Sequence, residues 1–349
     1  MKRLCGGCFD MLKENAANTT VQLSDIAAKT GFSLSTVSKV LNGRSDVSER
    51  TRKTITEAIE TYGYHRRVRS SKNRKLIEVV FQKFDSLWCL EILRGILTEA
   101  QAHGLSVITT ESGDETHPDS SWVNGVIHRQ PLGVILIFSN LTVKETKLLH
   151  SYNINYLTLD PSGTPSPDNM SVQADNWTGG VIATRHLLDL GHKRIGIITG
   201  PNQMMCSRAR FDGYKAALNE HGIPLDRKLV REGDFTTQCG YREALSLLKE
   251  PNPPTAIFGG CDLQSMGVYE AARRMRIRIP EDLSVVGFDD IQTSAFMGPA
   301  MTTVHQPLQE MAVMATNMLI DKEKGTITNN QVVLPTSLKV RNSTAPVDA

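Results

Sequence analysis

Two groups of side chains have the types and spacing needed for molecular recognition. The first lies in a short helical pattern at 34–42, whose outward positions are short, polar or basic: Leu34, Ser35, Thr36, Ser38 and Lys39. Side chains of these types can bond or pack against the edges of nucleic-acid bases. The second group consists of acidic residues that directly follow apolar runs, Asp160 and Asp289. A carboxylate at the end of a buried strand can accept hydrogen bonds from a small ligand.

Motifs that indicate an enzyme are absent from the sequence. No G-x-G-x-x-G follows the first apolar run, and no G-x-S-x-G or G-x-x-x-x-G-K-[ST] occurs. Seven of the 9 histidines are dispersed through the larger part of the chain, and each is better explained as a surface or cap residue: His103, His117, His128, His186, His192, His221 and His305. We therefore expect a binding protein with no cofactor rather than an enzyme.

Cysteine usage and hydropathy indicate the compartment. The 6 cysteines are scattered through 349 residues, which favours free thiols in a reducing cytosol over a disulfide framework. Cys5 and Cys8 form a C-x-x-C without a second pair, so we expect no metal site. Basic Lys2 and Arg3 are followed by no apolar signal-peptide core, and no run of 18 apolar residues could span a bilayer. The sequence predicts a cytoplasmic protein without membrane contact.

The helical pattern at 34–42 is one of three within residues 21–65. The first runs over 24–30 and ends before Gly31, and the second runs over 34–42. The third follows Ser48, a good N-cap, and carries Ile55, Ile59 and Tyr62 on one face. Two helices joined by a tight turn and followed by a third indicate a helix-turn-helix, although a scaffold bundle without a DNA role has the same pattern. Residues 1–20 lack periodicity. This predicts either a disordered extension or a start of the chain that is misplaced at Met1.

Charge is divided unevenly along the chain. Residues 21–75 hold 12 Lys and Arg against 5 Asp and Glu, whereas residues 76–349 hold 24 against 30. Half of the 12 basic residues lie in the linker at 66–75: Arg66, Arg67, Arg69, Lys72, Arg74 and Lys75. A basic segment attached to an acidic body suggests contact with nucleic acid, and a merely solvated linker is the alternative.

Beyond residue 76 the sequence alternates between strands and helices. Apolar runs at 76–81, 105–109, 133–138, 154–159, 194–199, 255–258 and 284–288 predict buried parallel strands. Helical patterns separate them, notably at 88–103, 176–190, 206–220, 237–249 and 262–275. This alternation predicts an α/β architecture of two lobes with doubly wound parallel sheets. Ligands bind such sheets at the carboxyl ends of the strands.

Longer runs of the sequence resemble the lactose-repressor/galactose-repressor (LacI/GalR) family. The resemblance rests on "VQLSDIAAKTGFSLSTVSKVLNGRSDVSERTRKTITEAIETYGY" at 21–64, "HLLDLGHKRIGIITGP" at 186–201 and "RIPEDLSVVGFDD" at 278–290, and it covers about residues 20–343. It implies a helix-turn-helix headpiece followed by a periplasmic-binding-protein-like sensor at 76–343. It also implies one lobe at about 76–172 plus 307–330, and another at about 173–303 plus 331–343.

For the headpiece, the resemblance implies that Leu34 and Ser35 open the recognition helix and that Lys39 lies one turn further on its groove-facing side. Lys39 can then donate to guanine, and Leu34 can pack on a thymine methyl. Residues better placed for phosphates are Ser33, Thr36, Ser38 and Asn42, and Asn42 is equally well explained as a helix cap.

The linker departs from the family pattern. "YHRRVRSSKNRK" is shorter than the usual hinge helix, lacks its Pro-Asn start and has no Leu before Leu76. The leucine wedge that kinks the operator in the family is therefore missing. Arg66 and Arg67 could enter the minor groove or contact phosphates, Val68 could serve as a weak wedge, or the linker could remain a disordered tether.

For the sensor, the resemblance implies an effector pocket. Arg210 in "CSRARFDGY" matches the family's effector-binding arginine, Asp289 a pocket carboxylate and Gln306 a pocket residue of some members. The other candidates are Asp160, Trp88 as a stacking platform, Cys261 where many members carry Asn, and Asp262. Each is alternatively a satisfied strand-end, cap or core residue. The "SLW" segment resembles a subgroup of regulators for xylose and plant oligosaccharides.

The sequence as a whole thus predicts a homodimeric transcriptional regulator, in the first place a repressor of carbohydrate-utilisation genes. Its operator affinity would be controlled by a sugar-type effector bound between the lobes. A periplasmic sugar-binding protein would share the two-lobed body, but it needs a signal peptide and has no use for a helix-turn-helix.

Overall fold

The computed structural model describes residues 21–41, 46–62, 74–113, 121–138 and 141–347. The extension predicted at 1–20, Asn42, Arg66 and Arg67, and all but the last two residues of the predicted linker at 66–75 lie outside the described residues. The chain divides into a small N-terminal unit, which we call the headpiece, and a much larger α/β unit, which we call the sensor.

The headpiece contains the three helices expected from the sequence. They are α1 Leu23–Thr30, α2 Leu34–Leu41 and α3 Glu49–Tyr62. Their apolar stripes meet in a small core of four buried side chains: Ile26, Val37, Val40 and Ile55. Because Val37 and Val40 point inward, the polar residues between them in the sequence are left on the outer side of α2.

Short caps define where these helices begin and end. Gly31 adopts a left-handed φ of 72° and donates its amide to the carbonyl oxygen of Ala27, which ends α1. The Ser33 hydroxyl accepts from the amide of Thr36 at 3.2 Å and thereby caps the start of α2. The predicted N-cap of α3 is also present, since the Ser48 hydroxyl accepts from the amide of Thr51 at 3.2 Å.

The first sheet of the sensor has six strands, all paired in parallel. They are β1 Leu76–Phe81, β2 Ser106–Glu111, β3 Gly133–Ile137, β4 Asn155–Leu159, β5 Met170–Ala174 and β11 Gln331–Leu334, in the order β11-β5-β4-β3-β1-β2. The helices of this lobe are α4 Leu87–Ala102, α5 Ser121–Arg129, α6 Val143–Ser151 and α11 Leu308–Lys324. One apolar cluster joins the sheet to α4 and α11.

The second sheet also has six strands. They are β6 Ile195–Thr199, β7 Val230–Glu232, β8 Ala256–Gly259, β9 Ser284–Asp289, β10 Thr302–His305 and β12 Ser337–Lys339, in the order β12-β10-β9-β8-β6-β7. The β12–β10 pair is antiparallel and the others are parallel. Helices α7 Asn176–Asp189, α8 Met205–Glu220, α9 Thr237–Leu248 and α10 Asp262–Met275 complete the lobe.

The seven predicted strands and five predicted helices all occur, with ends that differ by at most two residues. The strands not predicted are β5, β7, β10, β11 and β12, which are only 3 to 5 residues long. Helices α5, α6 and α11 were also not predicted. Short edge strands such as β11 and β12 alternate between exposed and half-buried residues, so their composition resembles that of a loop.

The predicted lobe boundaries need one correction. Residues 331–343 were expected in the second lobe, but β11 pairs in parallel with β5 at the edge of the first sheet. The chain therefore crosses after β11, through Pro335 and Thr336, and only β12 joins the second sheet. The crossing segments are tied together, because Asp175 donates its amide to Leu334 and the Thr336 hydroxyl donates to the carbonyl of Asp175 at 3.1 Å.

No helix among the described residues is long and apolar enough to cross a membrane.

Candidate functional site

The outer side of α2 is exposed and polar, apart from one apolar residue. Leu34, at the first position of the helix, is 52% exposed. Ser35 and Lys39 are exposed as well, while Thr36 and Ser38 are half-buried. The structure therefore places the predicted base-contacting residues Leu34, Ser35 and Lys39 on the surface of one helix.

Local hydrogen bonds already engage part of this surface. The Ser33 hydroxyl lies 2.8 Å from the hydroxyls of both Ser35 and Thr36, in addition to capping the helix. The ammonium of Lys39 forms an ion pair of 2.7 Å with Asp46, in the turn before α3, and both side chains are about half exposed. An exposed pair of this kind contributes at most about 1 kcal/mol. Lys39 can therefore exchange this partner for another at little cost.

A second, buried cluster of polar side chains occupies strand ends and helix starts of the sensor. Asp160 follows β4 and Asp289 ends β9, with φ angles of 50° and 125° respectively. A positive φ at a residue other than glycine costs about 1–3 kcal/mol and persists only where the surroundings impose it. Both side chains are almost completely buried. Both acidic side chains thus enter the cluster from strained backbone positions.

Arg210 is the centre of this cluster. Its Nε donates to Oδ1 of Asn176 at 2.8 Å, and its Nη1 donates to the carbonyl of Gly260 at 2.6 Å. Nη1 also lies 3.8 Å from Oδ1 of Asp289, and the guanidinium stacks 3.7 Å from the centre of the Phe288 ring. Helix α8 can bring Arg210 this close to α7 because residue 180 is a glycine. A Cβ atom at that position would collide with the backbone of Arg210.

Asn176 and Gln306 extend the cluster on either side of Arg210. Asn176 donates from Nδ2 to Oδ1 of Asp160 at 3.4 Å, so it links the end of β4 in the first sheet to α8 in the second lobe. Gln306 follows β10 and donates from Nε2 to Oδ1 of Asp289 at 2.6 Å. Within this cluster, Oδ2 of Asp160 and Oε1 of Gln306 are buried without a hydrogen-bond partner; among the other described residues the same holds for side-chain oxygens of Gln173, Gln264 and Thr293.

Burial dominates the electrostatics of the two carboxylates. It raises the pKa of Asp160 to about 6, although the charge of Arg210 and the hydrogen bond from Asn176 act in the opposite direction. Burial also raises the pKa of Asp289 well above its usual value; Arg210 lowers it, and the negative charge of Asp262 raises it further. The neighbouring thiol of Cys206 is fully buried, which raises its pKa to about 12. One guanidinium thus compensates the two carboxylates only in part.

Asp262 has structural contacts of its own, and its direct contact with an effector stays a prediction. Asp262 is completely buried, and its Oδ1 accepts from the Thr303 hydroxyl at 2.5 Å. Its Oδ2 accepts from the Ser294 hydroxyl at 2.5 Å and from the amide of Ile291 at 3.0 Å. The protein itself therefore occupies both oxygens, and Asp262 fixes the loop after β9 to β10 and to the start of α10.

Two other candidates have structural contacts of their own. Cys261 is the N-cap of α10: its sulfur accepts from the amide of Gln264 at 3.4 Å and lies 3.4 Å from the carbonyl of Phe235, to which the thiol can donate. Trp88 is buried in the apolar core of the first lobe, with its ring centre 4.6 Å from that of Phe138. Direct contact of either residue with an effector stays a prediction.

Two regions of the chain match known protein families. Residues 22–67 match the bacterial regulatory proteins of the lacI family, and residues 184–344 match the periplasmic binding protein-like domain. The chain is 31% identical over 339 residues to the HTH-type transcriptional repressor CytR of Escherichia coli (strain K12), which covers 95% of this chain and 99% of the relative.

The chain belongs to the lacI family of bacterial regulatory proteins. Its fold is similar to the transcriptional regulator CelR in complex with cellobiose, with a TM-score of 0.72, 29% identity, and coverage of 93% of this chain and 99% of that one. It is likewise similar to the lac repressor dimer bound to operator and the anti-inducer ONPF, with a TM-score of 0.70, 26% identity and the same coverage. The predicted family and fold class are confirmed: the protein is a DNA-binding transcriptional regulator, not an enzyme.

Sequence reasoning on this lacI-family regulator missed several residues of the buried cluster. Asn176 and Phe288 both contact Arg210, and Phe235 lies 5.7 Å from its guanidinium. Asn176 follows Asp175, whose carboxylate caps α7 by accepting from the amide of Thr178 at 3.0 Å, so the pair looks like an ordinary helix start. Position gave no signal either, because Asn176 follows β5, a strand that the sequence analysis did not predict.

Proposed function

We propose that this lacI-family regulator is a repressor of carbohydrate-utilisation genes whose operator affinity is controlled by a sugar. The observation that carries the proposal is the buried cluster formed by Asp160, Asn176, Arg210, Asp289 and Gln306. It joins side chains from both lobes and leaves two buried oxygens without partners. Buried polar groups are nearly always hydrogen-bonded in native proteins, so these two oxygens favour a ligand that donates.

The position of the cluster supports a small-molecule effector. Asp160, Asp289 and Gln306 all follow or end parallel strands, and ligands of doubly wound folds bind at these carboxyl ends. A guanidinium and two carboxylates can bond several hydroxyls of one ring. CelR, a similar regulator, has been solved with cellobiose. The more specific xylose and plant-oligosaccharide subgroup stays a prediction.

The exposed residues of α2 support operator recognition in the major groove. Leu34, Ser35 and Lys39 offer a methyl contact, a hydroxyl and an ammonium to base edges, while Ser33, Thr36 and Ser38 lie beside them for phosphates. Asn42, Arg66 and Arg67 complete the proposed DNA-binding set, although they lie outside the described residues. A repressor of chromosomal genes works in the cytoplasm, where we place this protein.

Operator binding of this kind requires two headpieces, and we propose a homodimer on a pseudo-palindromic site. The lac repressor, which has a similar fold, was solved as a dimer on its operator. In this chain α4 exposes an apolar stripe on its outer side, with Leu90 51% and Leu97 45% exposed, and a second copy could cover it. Effector binding would change operator affinity by about 1–3 kcal/mol, the usual range of allosteric coupling.

Fluorescence anisotropy with DNA from upstream of the protein's own gene tests this function. The full-length chain is titrated with and without a panel of pentoses, hexoses and short oligosaccharides. We expect at least one sugar to change the operator Kd about fivefold or more. Arg210→Ala should retain DNA binding and lose the sugar response, because it removes the centre of the cluster.

Arg208→Ala is the matched control, since Arg208 lies on the same helix and is exposed. It should behave like the unchanged protein. The proposal fails if no sugar alters operator affinity, or if Arg210→Ala responds as strongly as Arg208→Ala does.

A further inference from the structure

The C-terminal segment, which we define as residues 341–347, is hydrogen-bonded to the second lobe. Its central residue, Ser343, is completely buried. The Ser343 hydroxyl donates to the carbonyl of Val285 at 2.6 Å and accepts from the amide of Thr302 at 2.8 Å. The carbonyl of Ser343 also accepts from the amide of Val285 at 2.8 Å. The segment is thus held to the starts of β9 and β10.

Two histidines complete this attachment. Nε2 of His186, on α7, lies 2.9 Å from the hydroxyl of Thr344. Nε2 of His192, just after α7, lies 3.1 Å from the carbonyl oxygen of Ala345. The sequence predicted a surface or cap position for His192, but this residue is only 3% exposed. Two successive residues of the C-terminal segment therefore each have a histidine partner in the second lobe.

The hydrogen bonds of His192 favour its neutral form. A carbonyl oxygen only accepts, so Nε2 carries the hydrogen that reaches Ala345. Nδ1 lies 2.9 Å from the hydroxyl of Thr255 and accepts from it when the ring is neutral. The hydroxyl of Ser284 lies 3.0 Å from Nε2. These partners are two hydroxyls and one carbonyl, and none carries a charge that could compensate a protonated ring.

Burial is also the main electrostatic effect on both histidines. It lowers the pKa of His192, and a positive charge on His186 lowers it further, while the bond to Ala345 acts in the opposite direction. Burial likewise lowers the pKa of His186 from its usual 6.5. The fold therefore disfavours the charged form of each ring, and charging one ring makes it harder to charge the other.

The charged groups around the two histidines do not remove this effect. Asp189, at the end of α7, raises the pKa of His186, but less than burial lowers it. The Asp189 carboxylate also lies 4.0 Å from Nε2 of His221. The other charged groups of these elements form ion pairs with each other, Arg194 with Asp226 at 3.3 Å and Arg185 with Glu220 at 2.8 Å.

We propose that the C-terminal segment is an acid-sensitive latch, which protonation of His192 and His186 releases from the second lobe. A charged His192 would be buried without a counter-charge and beside a second cation, so release of the segment and exposure of the ring relieve the cost. The fold favours the neutral rings. The stability from these bonds is therefore full above pH 6.5 and is lost as the pH falls below it.

Release of the latch would reach the effector cluster through two strands. Strand β9 begins beside the C-terminal segment and ends at Asp289, and β10 begins beside it and leads to Gln306. Both strands would lose bonds at their starts, while the effector residues lie at their other ends. Acid would thus loosen the support of Asp289 and Gln306 without acting on either side chain directly.

Hydrogen–deuterium exchange of the full-length protein, followed by mass spectrometry at about pH 8 and about pH 5.5, tests this proposal without any ligand. Rates are corrected for the intrinsic pH dependence of exchange. We expect the protection of the peptide that covers 341–347 to be at least about fivefold lower at the acidic pH. The peptide of β6, in the core of the same lobe, should keep its protection. His192→Gln should retain protection of the segment at both pH values, because an amide offers a donor and an acceptor without titrating.

His186→Gln is the second variant, since it changes a half-buried position and threatens the fold less. It should reduce the pH dependence. His103→Gln is the control, because His103 is exposed at the end of α4 and pairs with Glu99, and it should behave like the unchanged protein. The proposal is overturned if the protection of the segment does not depend on pH, or if β6 loses protection together with it. Equal pH dependence in all three variants would overturn it as well.

Discussion

The outer side of α2 and the cluster around Arg210 are both polar, but they lie in opposite environments. On α2, Ser35 and Lys39 are exposed and make local contacts, such as the ion pair of Lys39 with Asp46. Around Arg210 each side chain is buried and bonds residues far away in the sequence, as Asn176 does with Asp160 and Arg210. Substitutions on α2 should therefore change binding without changing stability. In the sensor the two effects are coupled, so the melting temperature of each variant must be measured beside its ligand response.

The largest expected effect is on stability, at Asp262. Asp262→Ala removes the acceptor of the Thr303 and Ser294 hydroxyls and of the Ile291 amide, and leaves buried donors without partners. Each buried donor left without its acceptor costs about 1–3 kcal/mol. Urea unfolding followed by circular dichroism measures the loss. The surface variant Glu220→Ala serves as the control, and a difference below about 1 kcal/mol between the two would contradict the structural role of Asp262.

A smaller effect with the opposite sign is expected at Asp160, and it depends on pH. The folded protein holds the pKa of Asp160 at about 6, above the usual 3.8, so the charged form is disfavoured in the fold. Stability from this group is full below pH 4 and is lost as the pH rises through 6. Asp160→Asn should thus raise the free energy of unfolding at pH 8 by up to about 3 kcal/mol, and should have little effect near pH 4.

The groups that act on Asp160 set the sign of this prediction. Arg210 and Asn176 favour its charged form, while burial favours the neutral form and is the stronger effect. Urea unfolding at a series of pH values, with Asp168→Asn as the exposed control, compares the two variants. A destabilisation by Asp160→Asn at pH 8 would mean that the charge of Arg210 outweighs burial at this carboxylate.

The smallest expected effect is on DNA binding, at Lys39. Lys39→Ala should reduce the preference for the operator over random DNA by about 1–3 kcal/mol, the usual contribution of a good base contact. Because Lys39 is exposed, the melting temperature should stay unchanged. Anisotropy with operator and scrambled duplexes measures the preference. Asp46→Asn is the informative partner variant, since it breaks the ion pair but keeps the ammonium, and so should retain the preference.

Equal operator discrimination by Lys39→Ala and the unchanged protein would show that another face of the headpiece reads the bases. A loss of discrimination in Asp46→Asn as large as that in Lys39→Ala would assign the effect to the ion pair. Either outcome would require a different assignment of the residues of α2.

Local patterns predicted most of the elements, and long-range contacts account for what they missed. The helices of the headpiece follow from the apolar stripe that each one carries, which includes Ile26 on α1, Val37 on α2 and Ile55 on α3. Asp160 and Asp289 followed from their position after buried strands. The bonds of Asp262 to partners 29 to 41 residues away follow from no local pattern. The same holds for the pairing of β11 with β5, which joins segments about 160 residues apart.

The connection through Pro335 and Thr336 has a consequence for how the two lobes can move. Three extended Cα–Cα steps lead from Leu334 to Ser337 and span only about 10 Å, so the edges joined by β11 and β12 cannot separate further than that. The Thr336 hydroxyl donates to the carbonyl of Asp175, so the connection between β5 and α7 is held at the same place. The lobes can therefore tilt about this fastened edge but cannot slide or part along it.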